Sequence, residues 1–188
     1  MIRSIPVLDR ALELIDRAYR ELTEDEGYSM QMPPVGAMIE VPAAVYQVKE
    51  IGRRVDFLSV GTNELSKYLL AVDRNNPRVA DLYSSLHPSV LRALKSIHEQ
   101  AKSVNCQLSV CGEMAGDPLQ AVVLMGLGYE NLSMSASSLL RVKSVLLNVS
   151  HKQAQDLVRR ALRMPNAGSI ARFMADALNH PEVARLIS

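Results

Sequence analysis

Five residues at particular places in this sequence could do chemistry. Glu40 and Glu64 each sit at the end of a short apolar run. If those runs are neighbouring strands, about 4.8 Å apart, the two carboxylates can converge on one cation. Two carboxylates with waters and a substrate phosphate are a usual way to hold Mg²⁺. The simpler alternative is that each one favours the positive end of a helix. Gly61-Thr62-Asn63 reads as a strand-to-helix turn, whose backbone N–H groups suit a phosphate or carboxylate. It is neither a Walker loop nor Gly-x-Gly-x-x-Gly, so an ordinary turn capped by Asn63 is the competing reading. Arg74, in Asp73-Arg74-Asn75-Asn76, is a forked donor able to clamp a phosphate, or simply a solvated arginine. Cys111 ends an apolar run and precedes Gly112. A thiol there can donate a proton or act as a nucleophile, although buried structural cysteine is the commoner fate.

The other reactive side chains form no such pattern. Cys106 enters the same run from its far end and has only the structural reading. Two cysteines make neither a disulfide framework nor a four-ligand zinc site, and reduced thiols fit a cytosolic protein. His87, His98, His151 and His180 show no ligand spacing.

The elements that must position these residues follow from periodicity. Residues 7–25 have apolar positions at three- and four-residue spacing and end at Gly27, which predicts a helix with a glycine cap. Strand-length apolar runs occur at 35–41, 55–60, 107–111 and 131–134. Helical patterns follow each one: from Pro42 to about Arg54, after Asn63, from Pro88 to about Ser103 and from Pro118 toward Gly126 and Gly128. Further helices are expected near 137–147, 151–163 and 168–179. The order is a helix followed by four β–α units. This predicts an α/β fold with a parallel sheet whose strands are buried on both faces. The polar strand tips then share one edge, where such folds bind ligands. Four strands cannot close an eight-stranded barrel, which leaves an open sheet or half a barrel.

Composition sets the outer limits. The chain has 188 residues, 48% hydrophobic and 22% charged, with a net charge of +1. That suits one globular domain and gives no bulk attraction for nucleic acid or an anionic membrane. No apolar run approaches the roughly 18 residues a membrane span needs.

Taken together the tips are far more specific. Gly36-Ala37-Met38-Ile39-Glu40-Val41-Pro42, Asp56-Phe57-Leu58-Ser59-Val60-Gly61-Thr62-Asn63-Glu64, Ala71-Val72-Asp73-Arg74-Asn75, Cys111-Gly112-Glu113-Met114-Ala115-Gly116-Asp117 and Leu132-Ser133-Met134-Ser135 occur in that order. This series resembles the C-terminal domain of the phosphoenolpyruvate-utilising enzymes. Within them it is similar to the Enzyme I group of the bacterial phosphotransferase system. Leu86-His87-Pro88 and Gly126-Leu127-Gly128-Tyr129 tilt the resemblance toward the nitrogen-branch paralogues.

The resemblance implies strands five to eight of a (β/α)8 TIM barrel, with residues 7–25 as the helix after strand four. Residues 1–188 would be one piece of a longer protein, lacking the first barrel half, its two substrate-gripping arginines and the phosphohistidine domain. By the same resemblance Glu40 matches a Mg²⁺ ligand, and Asn63 and Arg74 match substrate-binding residues. Cys111 matches the acid that protonates the enolate of pyruvate. Glu64 stands where the family has a metal-binding aspartate, a departure of one methylene at a cation that demands close octahedral geometry. The implied reaction is phosphoryl transfer from phosphoenolpyruvate to an enzyme histidine, releasing pyruvate, with the isolated chain inactive. Implied too are a homo-oligomer, a phosphocarrier protein as partner of the full-length parent, and a cytoplasmic location. Alternatives are a dimerisation module, another phosphoenolpyruvate-utilising enzyme of the dikinase or synthase type, and a small self-sufficient open-sheet enzyme.

Overall fold

The computed structural model describes residues 1–73 and 76–179. Helix α1 (Ile5–Arg20) starts after Ser4 with Pro6 in its first turn, where a missing N–H costs nothing. It runs on through one π-helical turn, Glu21–Asp25, and the chain turns at Gly27 with φ 73°. That is the glycine stop expected from the sequence. Strand β1 (Gly36–Ile39) follows, then two short helices, α2 (Pro42–Val45) and α3 (Val48–Gly52). The sequence predicts one helix from Pro42 to Arg54. It breaks because Gln47 leaves helical geometry, at φ −122° and ψ 15°, and its amide donates to Ala43 O (3.0 Å) and Arg3 O (3.3 Å).

Strand β2 (Phe57–Gly61) runs directly into α4 (Thr62–Leu70). An irregular connection with one 3₁₀ turn, Ala80–Leu82, leads to α5 (Pro88–Ser103). His87 caps α5, its Nδ1 accepting from the Ser89 N–H at 3.2 Å. Strand β3 (Gln107–Cys111) is followed by a single helical turn, α6 (Glu113–Gly116), too short to leave a periodic signature. Helix α7 (Pro118–Leu127) is capped by Asp117, as its Asp-Pro start predicts, and stops at Gly128 with φ 103°. After the two-residue β4 (Asn131–Leu132) come α8 (Ala136–Leu147), α9 (His151–Ala161) and α10 (Ala167–Ala177). No helix among the described residues is long and apolar enough to cross a membrane.

The four strands form one parallel sheet in the order β1-β2-β3-β4. Each crossover steps to the next strand in the same direction. A doubly wound sheet reverses its order once, and this one does not. With right-handed crossovers, unidirectional order puts the helices on one face. Burial agrees. Ile39, Leu58, Val60 and Val110 point into the helices and are fully buried. On the opposite face Met38 is 40% and Phe57 37% exposed, flanking Ser59 and Ser109. The expectation of strands buried on both faces is therefore corrected: one face is covered and the other open. The sheet has the build of four consecutive units of a (β/α)8 barrel, the open face being the one a barrel turns inward.

Candidate active site

Register aligns the strand tips. Ile39 pairs with Val60, Gly61 with Cys111, and Val110 with Leu132. One residue past those pairs, Glu40 stands level with Gly61, and Ser133 with Cys111. Glu40, Gly61, Cys111 and Ser133 thus form one row across the carboxyl edge of the sheet, on its open face. Gly61 permits the row to close up. A Cβ built there would lie 3.1 Å from Glu40 Cβ and 3.2 Å from Met38 Sδ, closer than nearly all real contacts.

The tips are tied together. The Thr62 hydroxyl, 1% exposed, donates to Cys111 O at 2.8 Å. Asn63 Oδ1 accepts the Glu113 N–H at 3.2 Å. Because a backbone N–H only donates, the carbonyl end of the Asn63 amide must face it, and the NH₂ end is left to face a ligand's acceptor. Asn63 is thus not the helix cap that its position suggests, since Gly61 is the cap and no side chain caps α4. The approach of β3 to this turn needs Gly112 at φ 104°, where a Cβ would come within 2.5 Å of Thr62 Oγ1.

Cys111 is half-buried. Its Sγ donates to Val60 O at 3.4 Å and accepts from the Ser59 hydroxyl at 3.7 Å. The thiol is thereby held on the open face, and Cys106 lies at the far end of the same strand, packed against Gly52. Cys111 and Asn63 share a cleft of about 640 Å³ with Glu113, Gln120, Ser133 and Arg141. A second concavity of about 650 Å³ opens at the amino ends of the strands, beside His98, Lys102 and Cys106, away from every tip residue.

Glu40 follows β1 and is half-buried, and Glu64 lies exposed in the first turn of α4. Glu40 does not cap α2, whose cap is Val41 without a side-chain bond. Neither carboxylate takes part in a hydrogen bond or ion pair among the described residues. Among those residues no group of three or more His, Cys, Asp or Glu gathers as a metal site. Arg74 lies outside the described residues. The arrangement therefore unites Asn63 and Cys111 in one cleft, and sets Glu40 beside them in the strand-tip row. Sequence reasoning missed Arg141, whose signal is an arginine three residues beyond the serine pair Ser137-Ser138.

A parallel sheet with helices on one face and its polar groups at the carboxyl edge is the architecture of a barrel enzyme's ligand-binding end. Residues 1–151 match the family described as "PEP-utilising enzyme, PEP-binding domain". The chain belongs to that family. It is 45% identical over 187 residues to a Salmonella typhimurium protein named "Phosphoenolpyruvate-dependent phosphotransferase system", covering 100% of this chain and 25% of the relative. It is 42% identical over 164 residues to a phosphoenolpyruvate-protein phosphotransferase of Cupriavidus necator, covering 87% of this chain and 28% of the relative. A protein of the same name from Haemophilus influenzae is 35% identical over 178 residues, covering 95% and 31%. The chain thus spans about a quarter to a third of the length of these relatives.

Proposed function

We propose that this chain is the second half of the phosphoenolpyruvate-binding barrel of a phosphoenolpyruvate-protein phosphotransferase of the nitrogen branch, and that residues 1–188 act as one unit of it. The observation that carries the reading is the level row of Glu40, Gly61 and Cys111 on the open face, with the Asn63 amide turned toward the same cleft.

In this reading the Asn63 NH₂ group and Arg74 hold the anionic end of phosphoenolpyruvate. The P–O bond to the enol oxygen breaks, and the phosphoryl group passes to a histidine nitrogen supplied by another part of the longer protein. The enolate left behind takes a proton at its methylene carbon from the Cys111 thiol and becomes pyruvate. The Val60 carbonyl and the Ser59 hydroxyl keep that thiol on the cleft side of β3.

The donor chemistry suits Mg²⁺, which takes hard oxygen ligands and needs only one or two protein carboxylates. Glu40 and Glu64 would hold it, both being accessible and unpaired among the described residues. Bound there, the ion would neutralise charge on the transferring phosphoryl oxygens. Glu64 has the longer side chain and, exposed on α4, has room to swing to that position. The reading brings with it a homo-oligomer, a phosphocarrier protein as the next acceptor, and a cytoplasmic location.

The test is a chimera in which this chain replaces the matching quarter of the Salmonella typhimurium relative. Pyruvate release from phosphoenolpyruvate is expected. Cys111→Ala should cost about 100-fold or more, the usual worth of a general acid, and Glu40→Gln should raise the Mg²⁺ concentration that turnover requires or abolish turnover at every Mg²⁺ concentration. A folded chimera that releases no pyruvate defeats the proposal.

A further inference from the structure

We infer that Arg141 is an anion-binding residue of the Cys111 cleft, holding a carboxylate or phosphoryl group from the β4–α8 side. The inference rests on the reading above for the identity of the anion, and on the cleft alone for the role. Val142 and Val145 are buried and fix the rotation of α8 against the body of the protein. Arg141, next to Val142, is thereby left exposed, and it lines the cleft together with Ser138, Ser133 and Cys111.

No side chain among the described residues pairs with it. Its guanidinium has no hydrogen bond or ion pair among those residues, as is also true of Arg17, Arg53 and Arg92, and what sets Arg141 apart is its place in the cleft with Asn63 and Cys111. Two carboxylates share its cleft. Asp117 is engaged in capping α7, accepting the Gln120 N–H at 2.8 Å, and Glu113 has an interaction of its own. A guanidinium that neither of those carboxylates pairs, in the same concavity as an amide NH₂ and a thiol, can take an anion from outside. It is also the part of the cleft farthest along the sheet from Glu40. The site would then draw one group from each of its four β–α units: Glu40, Asn63, Cys111 and Arg141.

The role can be read without turnover, from labelling of Cys111 in the 188-residue chain. An anionic methanethiosulfonate (sulfonatoethyl) and a cationic one (trimethylammonioethyl) react with the same thiol. Their rate ratio therefore cancels any change in the thiol's own reactivity. Peptide-resolved mass spectrometry follows Cys106, at the other end of β3, as an internal control. For a separation on the order of 10 Å in largely aqueous surroundings, removing one charge from the cleft should lower the anionic-to-cationic ratio at Cys111 about fourfold. Arg141→Gln should show that fall, Arg141→Lys should keep the ratio, and Cys106 should not respond to either.

Competition separates the sources of the anion. Inorganic phosphate that slows anionic labelling of wild type but not of Arg141→Gln marks a phosphoryl site, and pyruvate doing so marks a carboxylate site. A ratio unchanged within twofold in Arg141→Gln, or protection equal in the two proteins, overturns the inference. Failure of the chimera to release pyruvate would leave the labelling result standing, so the two claims fall separately.

Discussion

Gly112→Ala probes the joint on which the whole site depends. Gly112 has φ 104° and ψ −177°, a region that side chains other than glycine's hardly enter. Forcing alanine into it costs about 1–3 kcal/mol. The new Cβ would also lie 2.5 Å from Thr62 Oγ1 and 3.1 Å from Asn63 Oδ1. Thr62 is 1% exposed and cannot swing into solvent, so its bond to Cys111 O is lost, for about 1 kcal/mol more. The sum is about 2–4 kcal/mol. Gly27 is the control. It also has a positive φ, 73°, yet an added Cβ would meet nothing within 4 Å. Gly27→Ala should therefore cost only the left-handed strain, about 1 kcal/mol. Urea unfolding by linear extrapolation measures both. Gly112→Ala within about 0.5 kcal/mol of Gly27→Ala would refute the claim that β3 and the start of α4 interlock at this point.

Three further outcomes are expected. Ser66→Ala should raise stability by about 1 kcal/mol in the same urea assay, because the Ser66 hydroxyl is fully buried without a partner among the described residues. His98 packs on Gly128, and burial, followed by nearby Lys102, holds its pKa below 6.5 against the pull of Glu99 and Glu130. The unfolded chain then binds the proton more readily, so stability is fully present above pH 6.5 and falls as pH drops through the folded value. His98→Gln should flatten the pH dependence of the urea midpoint there. Burial, with Asp56 adding to it, raises the Cys106 thiol above its ordinary 9.0, so the rate of peptide-resolved Cys106 alkylation should still be climbing with pH at 9.0 in the native chain and should level off at lower pH once the chain is unfolded.

Most of the fold is legible in the sequence because its signals are local. Pro42, Pro88 and Asp117-Pro118 open helices, Gly27 and Gly128 close them, and the short apolar runs outside those limits read as strands. The open face was not legible, for a definite reason. Met38 and Phe57 are as apolar as their covered neighbours Ile39 and Leu58, so the runs look buried on both sides, and only the strand order reveals one covered face. In the site, Glu40, Asn63 and Cys111 are visible as strand-tip residues. The direction of the Asn63 amide is not, because a backbone N–H fifty residues along the chain sets it. Arg141 escapes for a related reason. It lies a full turn inside α8 and reaches the cleft only because buried valines fix that helix's rotation. Arg74 stands out in the sequence and lies outside the described residues, so its part rests on the resemblance alone.

The most direct test asks whether the thiol in the strand-tip row serves the methylene carbon. In the chimera with the Salmonella typhimurium relative, supplied with Mg²⁺ and pyruvate in D₂O, deuterium should enter the pyruvate methyl group as the proton step runs in reverse. NMR follows the exchange. The account predicts exchange at Cys111 that falls at least about 100-fold in Cys111→Ala and is untouched by Cys106→Ala. Equal exchange with and without the Cys111 thiol would contradict it.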